Sequence, residues 1–166
     1  MQQAIVHCLR GMDQHAHRAY PWPGPKLLAA LREAPVPGHP DPSARYVSVV
    51  PAPTPAGAHP DDGVEVLRHA SAELHNPVVQ ARLVTAAGPV RILAWVFMHA
   101  VDTYEVDPPQ VVRYIDAVDV DGTAYVLTRF QDQPEGVVAV DPAPEPGTSD
   151  VLDLLRSLAQ LLRPGT

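Results

Sequence analysis

Residues 111–130 contain two runs of strand-forming residues that are joined by the dipeptide Asp121-Gly122. Both runs are rich in Val, Ile, Tyr and Thr, which fit the pleated surface of a β-sheet. Asp-Gly is typical of a hairpin with a two-residue loop. Both loop positions of a type I′ turn need positive φ, which these two residues tolerate. The sequence therefore predicts an antiparallel hairpin. In the register set by this loop, six residues lie together on one face: Tyr114, Asp116, Val118, Tyr125, Leu127 and Arg129.

The strand that precedes this hairpin is predicted at 90–101, where nearly every position is apolar. Leu93, Trp95 and Phe97 alternate on one of its faces. A strand that is apolar on both faces is usually covered on both faces. We therefore expect this strand at the centre of the sheet, with helices on one side and another layer, or a second subunit, on the other.

Apolar residues at helical spacing indicate helices near both ends of the chain and in its middle. Residues 26–34 are interpreted as an additional short helix, and β-branched runs predict further strands at 45–50, 78–87 and 136–141. The prediction is a single α+β domain with a curved antiparallel sheet of about five to six strands, packed by N-terminal, central and C-terminal helices. Its parts are a helical N-terminal region (1–44), the sheet (45–141) with an inserted helix (62–75), and a C-terminal helix (149–163).

The composition limits which partners and which cellular location we expect. With 46% hydrophobic and 19% charged residues in a chain of 166, there is enough apolar material for one core. The formal net charge is −7 and there is no run of Lys and Arg, which argues against binding to nucleic acid or to an anionic membrane surface. The longest apolar stretch is too short to span a bilayer and no signal peptide is recognisable, so we expect a cytoplasmic protein.

Motifs for a cofactor or a metal are missing from the sequence. The chain lacks the glycine-rich nucleotide-binding loops and the helical zinc motif of metalloproteases. Cys8 is the only cysteine, which argues against a cysteine-based zinc site. His15 and His17 are two positions apart on a predicted helix and so point in different directions, and Asp13 is expected to form a surface pair with His17. We therefore predict neither a metal nor a cofactor.

His99 is the residue that most strongly suggests chemistry. It alternates with Trp95 and Phe97 on the central strand, so we expect it to be partly buried. With Asp102 or Asp116 it could supply an acid/base pair if the sheet curves around a cavity. The alternative is a structural histidine that bonds a backbone carbonyl at the end of the strand. The candidate catalytic residues are therefore His99, Asp102 and Asp116, and the candidate ligand-binding residues are Trp95, Tyr114 and Tyr125.

Two functional hypotheses follow from these patterns. The preferred one is a non-enzymatic binding or protein-interaction module, in which a protein partner or a second copy of the chain covers extra apolar surface. The other is an enzyme or ligand-binding protein with a cavity for a small molecule around His99 and the 111–130 hairpin. A structure separates them by showing whether the face with Trp95 meets a cavity, the chain's own helices or another chain.

Overall fold

The computed structural model describes residues 1–52, 63–78, 90–104 and 107–161. These residues form three helices and one six-stranded antiparallel sheet, which confirms the predicted α+β class. The helices are α1 (Gln2–Ala19), α2 (Gly63–Leu74) and α3 (Asp150–Gln160). The strands are β1 (Leu27–Pro35), β2 (Arg45–Pro51), β3 (Arg91–Thr103), β4 (Gln110–Asp119), β5 (Ala124–Phe130) and β6 (Val137–Asp141).

Neighbouring strands of the sheet are all antiparallel, and their order is β2-β1-β3-β4-β5-β6. β3 pairs with β1 on one side and with β4 on the other. The predicted interior position of the strand at 90–101 is therefore confirmed. Among the strands that the structure describes, β2 and β6 are the two edges of the sheet.

β1 occupies the segment 26–34 that the sequence predicted as a short helix, and that prediction is wrong. Leu and Ala have high helix propensity, so the local sequence favours a helix there. The segment is inserted between β2 and β3, and both of its faces are buried. Leu28 and Ala30 join the core on one side, and Leu31 joins the core on the other. Strand pairing and burial outweigh the local preference, and the region 1–44 is only partly helical.

Helices of the same chain cover both faces of the sheet. α1 lies on one face, and α2 and α3 lie on the other, so that two cores flank the sheet; we call these the α1 face and the α2/α3 face. The core of the α1 face includes Ile5, Leu9, Met12, Ala16, Val96, Met98, Ile115 and Leu127. The core of the α2/α3 face includes Leu67, Ala70, Trp95, Phe97, Val118, Leu155 and Leu158. The second layer expected over the central strand is therefore α1.

β3 carries a bulge at Leu93. The pairing of β1 with β3 skips this residue, which lies between Ile92 and Ala94. Leu93 consequently joins the core of the α1 face, whereas Trp95 and Phe97 lie on the α2/α3 face. The predicted common face of these three residues is wrong, because the bulge interrupts the alternation of side chains along the strand.

β4 and β5 form the predicted antiparallel hairpin, but its loop has three residues instead of two. Asp119 N donates to Thr123 O at 3.0 Å, and Val118 pairs with Ala124. Gly122 has a φ of +96°, and no other type of residue has positive φ in the described part of the chain. This is the pattern of a three-residue hairpin loop whose last residue is a glycine in the left-handed region. The side chain of Asp119 supports this loop, because its Oδ1 accepts from Asp121 N and from Thr123 N, both at 2.9 Å.

The change of register by one residue moves half of the hairpin's side chains to the other face. Tyr125 and Leu127 lie in the core of the α1 face, and Arg129 alternates with them on the same strand. Tyr114 and Asp116 alternate with Val118 on the α2/α3 face. The predicted six-residue face is therefore wrong, and its members are divided between the two layers.

The predicted helices at the two ends of the chain and in its middle are confirmed as α1, α2 and α3. Ser149 caps α3, since its Oγ accepts from Leu152 N at 3.4 Å. The strand predicted at 78–87 lies outside the described residues, except for Val78. Among the helices described, none is both long enough and apolar enough to cross a membrane.

Candidate functional site

His99 and Asp116 lie side by side on the α2/α3 face. β3 and β4 pair so that His99 is opposite Tyr114 and Phe97 is opposite Asp116. His99 Nε2 lies 2.6 Å from Asp116 Oδ2, which is a hydrogen-bond distance. The side chains of His99 and Asp116 are 12% and 7% exposed. The pair is therefore largely shielded from bulk water without being sealed from it.

The imidazole of His99 stacks on two aromatic rings. Its centroid is 5.2 Å from that of Phe97 and 5.6 Å from that of Tyr114, with interplanar angles of 17° and 21°. Stacking on both neighbours restricts the orientation of the imidazole, so that Nε2 stays directed at Asp116. A carboxylate that holds one ring nitrogen in this way orients a histidine whose other nitrogen, Nδ1, can exchange a proton.

The other predicted site residues lie elsewhere. Trp95 shares the face of His99 but is buried in the core with α2 and α3. Asp102 is exposed and follows His99 by three positions on β3, so its side chain is directed to the opposite face. Tyr125 is fully buried on the α1 face. Of the six predicted site residues, three come together: His99, Tyr114 and Asp116.

Tyr125 and Asp119 form a second buried polar group at the loop end of the β4–β5 hairpin. Tyr125 Oη donates to Asp119 Oδ2 at 2.8 Å, and the Asp119 Oδ1 atom accepts from the loop amides. Burial raises the pKa of Tyr125 well above its usual range, and the hydrogen bond to Asp119 adds to this shift. Tyr125 is thus a permanent hydrogen-bond donor that fixes the loop, and it lies on the opposite face of the sheet from His99.

A third polar cluster, which we call the Asp13 cluster, lies on the α1 face. Asp13 of α1 accepts from Arg113 Nη1 through Oδ1 at 2.8 Å and from Arg129 Nη1 through Oδ2 at 2.7 Å. Arg113 also donates from Nε to Pro23 O at 2.5 Å, and its guanidinium lies over the Trp22 ring at 4.5 Å from the centroid. Asp13, Arg113 and Arg129 are each exposed by 2% or less.

The predicted surface pair of Asp13 with His17 is wrong, because Asp13 is buried among arginines. One signal in the sequence pointed to this outcome. Asp13 follows Leu9 by four positions and precedes Ala16 by three, so helical geometry places it on the apolar stripe of α1. A charged residue on such a stripe needs a buried partner.

A shallow depression of about 400 Å³ lies where the start of α1 meets the β4–β5 loop. Its lining residues are Met1, Gln2, Gln3, Asp119, Asp121 and Thr123. None of the predicted site residues lines it. Within the ranges that the structure describes, no group of three or more His, Cys, Asp or Glu side chains could hold a metal ion. The absence of a cofactor stays a prediction.

The function has to be inferred from the chain's own residues. Four structural features bear on the function: the His99–Asp116 pair, the Asp13 cluster, the Tyr125–Asp119 group and the edges of the sheet. Comparison of the chain with protein-family models, with curated proteins and with solved structures found no match.

Proposed function

We propose that this protein is a binding module that self-associates through β6, one edge of the sheet. The observation that carries the proposal is the exposure of apolar side chains on that edge: Val137 is 67% exposed and Val140 is 42% exposed. β6 pairs with β5 on one side, and the strand order leaves its other side without a neighbouring strand among the described residues. Backbone N–H and C=O groups on such an edge are able to pair with a strand of another chain.

β6 lacks several of the features that protect edge strands in other proteins. Its sequence, V-V-A-V-D, has no lysine, arginine or proline, and its single charged residue, Asp141, stands at the end. β2, at the opposite edge, begins with Arg45 and ends with Pro51, and α1 contacts it. Because the chain's own helices cover both faces of β3, the β6 edge supports the proposal better than the faces of the sheet do.

β6 is also self-complementary, which favours a second copy of the chain as its partner. Antiparallel pairing about Ala139 would place Val138 opposite the partner's Val140. This contact would occur twice, as a two-fold interface requires. Val138 already packs against the core of the α1 face, so the new contact would extend that core into the partner. The edge is only five residues long, and we therefore expect weak association.

Sedimentation velocity from micromolar to millimolar protein tests the proposal. We expect the wild type to shift from monomer to dimer as its concentration rises. Val140→Lys places a charge on the β6 edge and should lower the association constant by about tenfold or more. Tyr46→Lys is the matched control, because Tyr46 is a similarly exposed side chain on β2. Both substitutions change the net charge equally.

The Tyr46→Lys variant should associate like the wild type. A wild-type protein that remains monomeric at every concentration would contradict self-association. A Val140→Lys variant that dimerises as strongly as Tyr46→Lys would place the interface elsewhere than on β6.

A second candidate function is the binding of a small molecule, with or without acid/base chemistry, at His99 and Asp116. The observation that favours it is the 2.6 Å contact between His99 Nε2 and Asp116 Oδ2 in a pair that keeps some contact with solvent. Stacking on Phe97 and Tyr114 fixes the ring, which is what a positioned general base requires. Tyr114 would contribute an aromatic surface for the ligand.

Fragment screening by NMR tests this second candidate. A compound that binds there should shift the resonances of His99 and Tyr114, and His99→Gln should abolish its binding. His39→Gln is the control, since His39 is an exposed loop residue. The candidate fails if no fragment perturbs His99, or if both variants bind the fragments equally well.

A further inference from the structure

Three buried hydrogen-bond donors of the Asp13 cluster have no partner among the residues that the structure describes. They are Arg113 Nη2, Arg129 Nε and Trp22 Nε1. The guanidinium of Arg113 lies over the Trp22 ring, and Arg113 is directly opposite Arg129 in the β4–β5 pair. Guanidinium and indole N–H groups can only donate. The cluster therefore presents several unused donors and needs an acceptor.

The same cluster has an excess of positive charge. Two guanidinium groups share one carboxylate, that of Asp13, and all three side chains are almost completely buried. Burial lowers the pKa of Arg113, and the hydrogen bond to Asp13 opposes this shift, but an arginine in a protein stays charged. A buried positive charge without a counter-charge is strongly unfavourable. Hydrogen bonding and charge thus both require an anionic acceptor.

Residues 22–24 lie over Arg113 and form the outer wall of the cluster. Trp22, Pro23 and Gly24 are half-buried, so they separate the cluster from solvent. Gly24 has a φ of +96°, and a Cβ at this position would lie 3.4 Å from Arg113 Nη2. Because glycine has no side chain, the backbone comes close to the guanidinium and no side-chain atom of residue 24 stands beside Nη2.

We propose that Arg113, Arg129 and Trp22 form a binding site for a small anion or for an anionic group of a ligand, either a carboxylate or a phosphate. The two guanidinium groups offer planar, charged donors of the kind that recognise such oxygens, and Trp22 Nε1 adds a third. Asp13 neutralises one of the two positive charges. The site therefore retains one positive charge, which favours an anionic group over a neutral one. It lies on the α1 face, on the opposite side of the sheet from His99.

Titration of the wild-type protein with sodium phosphate and, separately, with sodium acetate tests the site, with ionic strength held constant by sodium chloride. The readout is the indole N–H resonance of Trp22, assigned with Trp22→Phe. We expect a saturable shift of this resonance. Trp95 is an internal control, because its indole lies in the core of the α2/α3 face and should not respond. A response to one anion only assigns the site to that chemical class.

Variants of the arginines give the second part of the test. Arg129→Gln should weaken anion binding by about tenfold or more, because it removes a charged donor. Arg32→Gln is the matched control: it also removes a positive charge, and Arg32 Nε is likewise buried without a partner, but on β1. Arg129→Lys, which keeps the charge, should bind at intermediate strength if the Gln variant does not fold.

A second measurement follows from linkage, since an anion that binds only the folded protein raises its unfolding midpoint with concentration. Phosphate or acetate should raise the midpoint of the wild type more than chloride does at equal ionic strength. The proposal is overturned if the Trp22 and Trp95 resonances respond alike, or if Arg129→Gln and Arg32→Gln bind the anion equally. In that case the cluster only attaches α1 to the sheet.

Discussion

The carboxylate of Asp13 is shared by two buried guanidinium groups, so its removal would leave both without their counter-charge. Asp13→Asn keeps the shape of the side chain and removes the charge. We expect this substitution to lower the free energy of unfolding by about 3 to 5 kcal/mol, the usual cost of removing one partner from a buried ion pair. Urea denaturation followed by circular dichroism measures the change.

Asp150→Asn is the control for this prediction. Asp150 pairs with Arg68 at 3.2 Å, but both side chains are mostly exposed to solvent. An exposed pair contributes little, so the free energy of unfolding should fall by less than about 1 kcal/mol. Similar losses in the two variants would mean that Asp13 is no more important than a surface charge, in conflict with its burial.

The residues of the two polar sites differ in how far the sequence could lead to them. His99 and Asp116 are on strands that follow one another in the chain. They could therefore be predicted together as a candidate acid/base pair. Asp13 is 100 positions from Arg113 and 116 positions from Arg129. Helical spacing indicates that Asp13 is buried, but its partners depend on which face of the sheet α1 covers. That choice is a property of the folded chain.

Two glycines give opposite expectations for the same substitution, because they occupy different elements. Gly11 lies in α1, is exposed, and an added Cβ would meet no atom within 4 Å. Gly11→Ala should therefore raise the free energy of unfolding by about 0.5 to 1 kcal/mol. Gly122 has positive φ in the β4–β5 loop, so Gly122→Ala should lower it by about 1 to 2 kcal/mol. Thermal and urea denaturation of both variants measure these changes. If the free energy of unfolding changes in the same direction in both variants, the three-residue loop with Gly122 at positive φ is contradicted.

At the level of elements, errors arose where tertiary contacts outweigh local preference. Residues 26–34 favour a helix by composition, yet they form β1 because the gap between β2 and β3 accepts an apolar strand. Asp121-Gly122 favours a two-residue loop, yet the side chain of Asp119 accepts from the amides of Asp121 and Thr123 and stabilises a three-residue loop. Periodicity alone indicates neither the insertion of β1 between two strands nor the hydrogen bonds that Asp119 makes at the loop. Where no such competitor acts, as in α1 and α3, helical periodicity predicted the element.

For the whole molecule, the two helical layers decide which surfaces are available to partners. α1 covers one face of the sheet, and α2 and α3 cover the other, so a second chain is not needed to bury β3. The sequence indicated two apolar faces but could not show that α1, at the far end of the chain, supplies the second layer. The proposed association therefore uses the edge formed by β6, and it also depends on the charge of the molecule as a whole.

That charge leads to a prediction about the association of complete molecules. Each chain has a formal net charge of −7, so two copies repel one another at long range. Salt shortens the screening length from about 30 Å at 0.01 M to about 3 Å at 1 M. Because the proposed β6 contact is apolar, sodium chloride should weaken the repulsion and leave the contact intact. We therefore expect the association constant measured by sedimentation to rise with salt in the wild type and in Tyr46→Lys. A constant that falls with salt would indicate an interface made of ion pairs, and β6 could not then be the surface that joins the two copies.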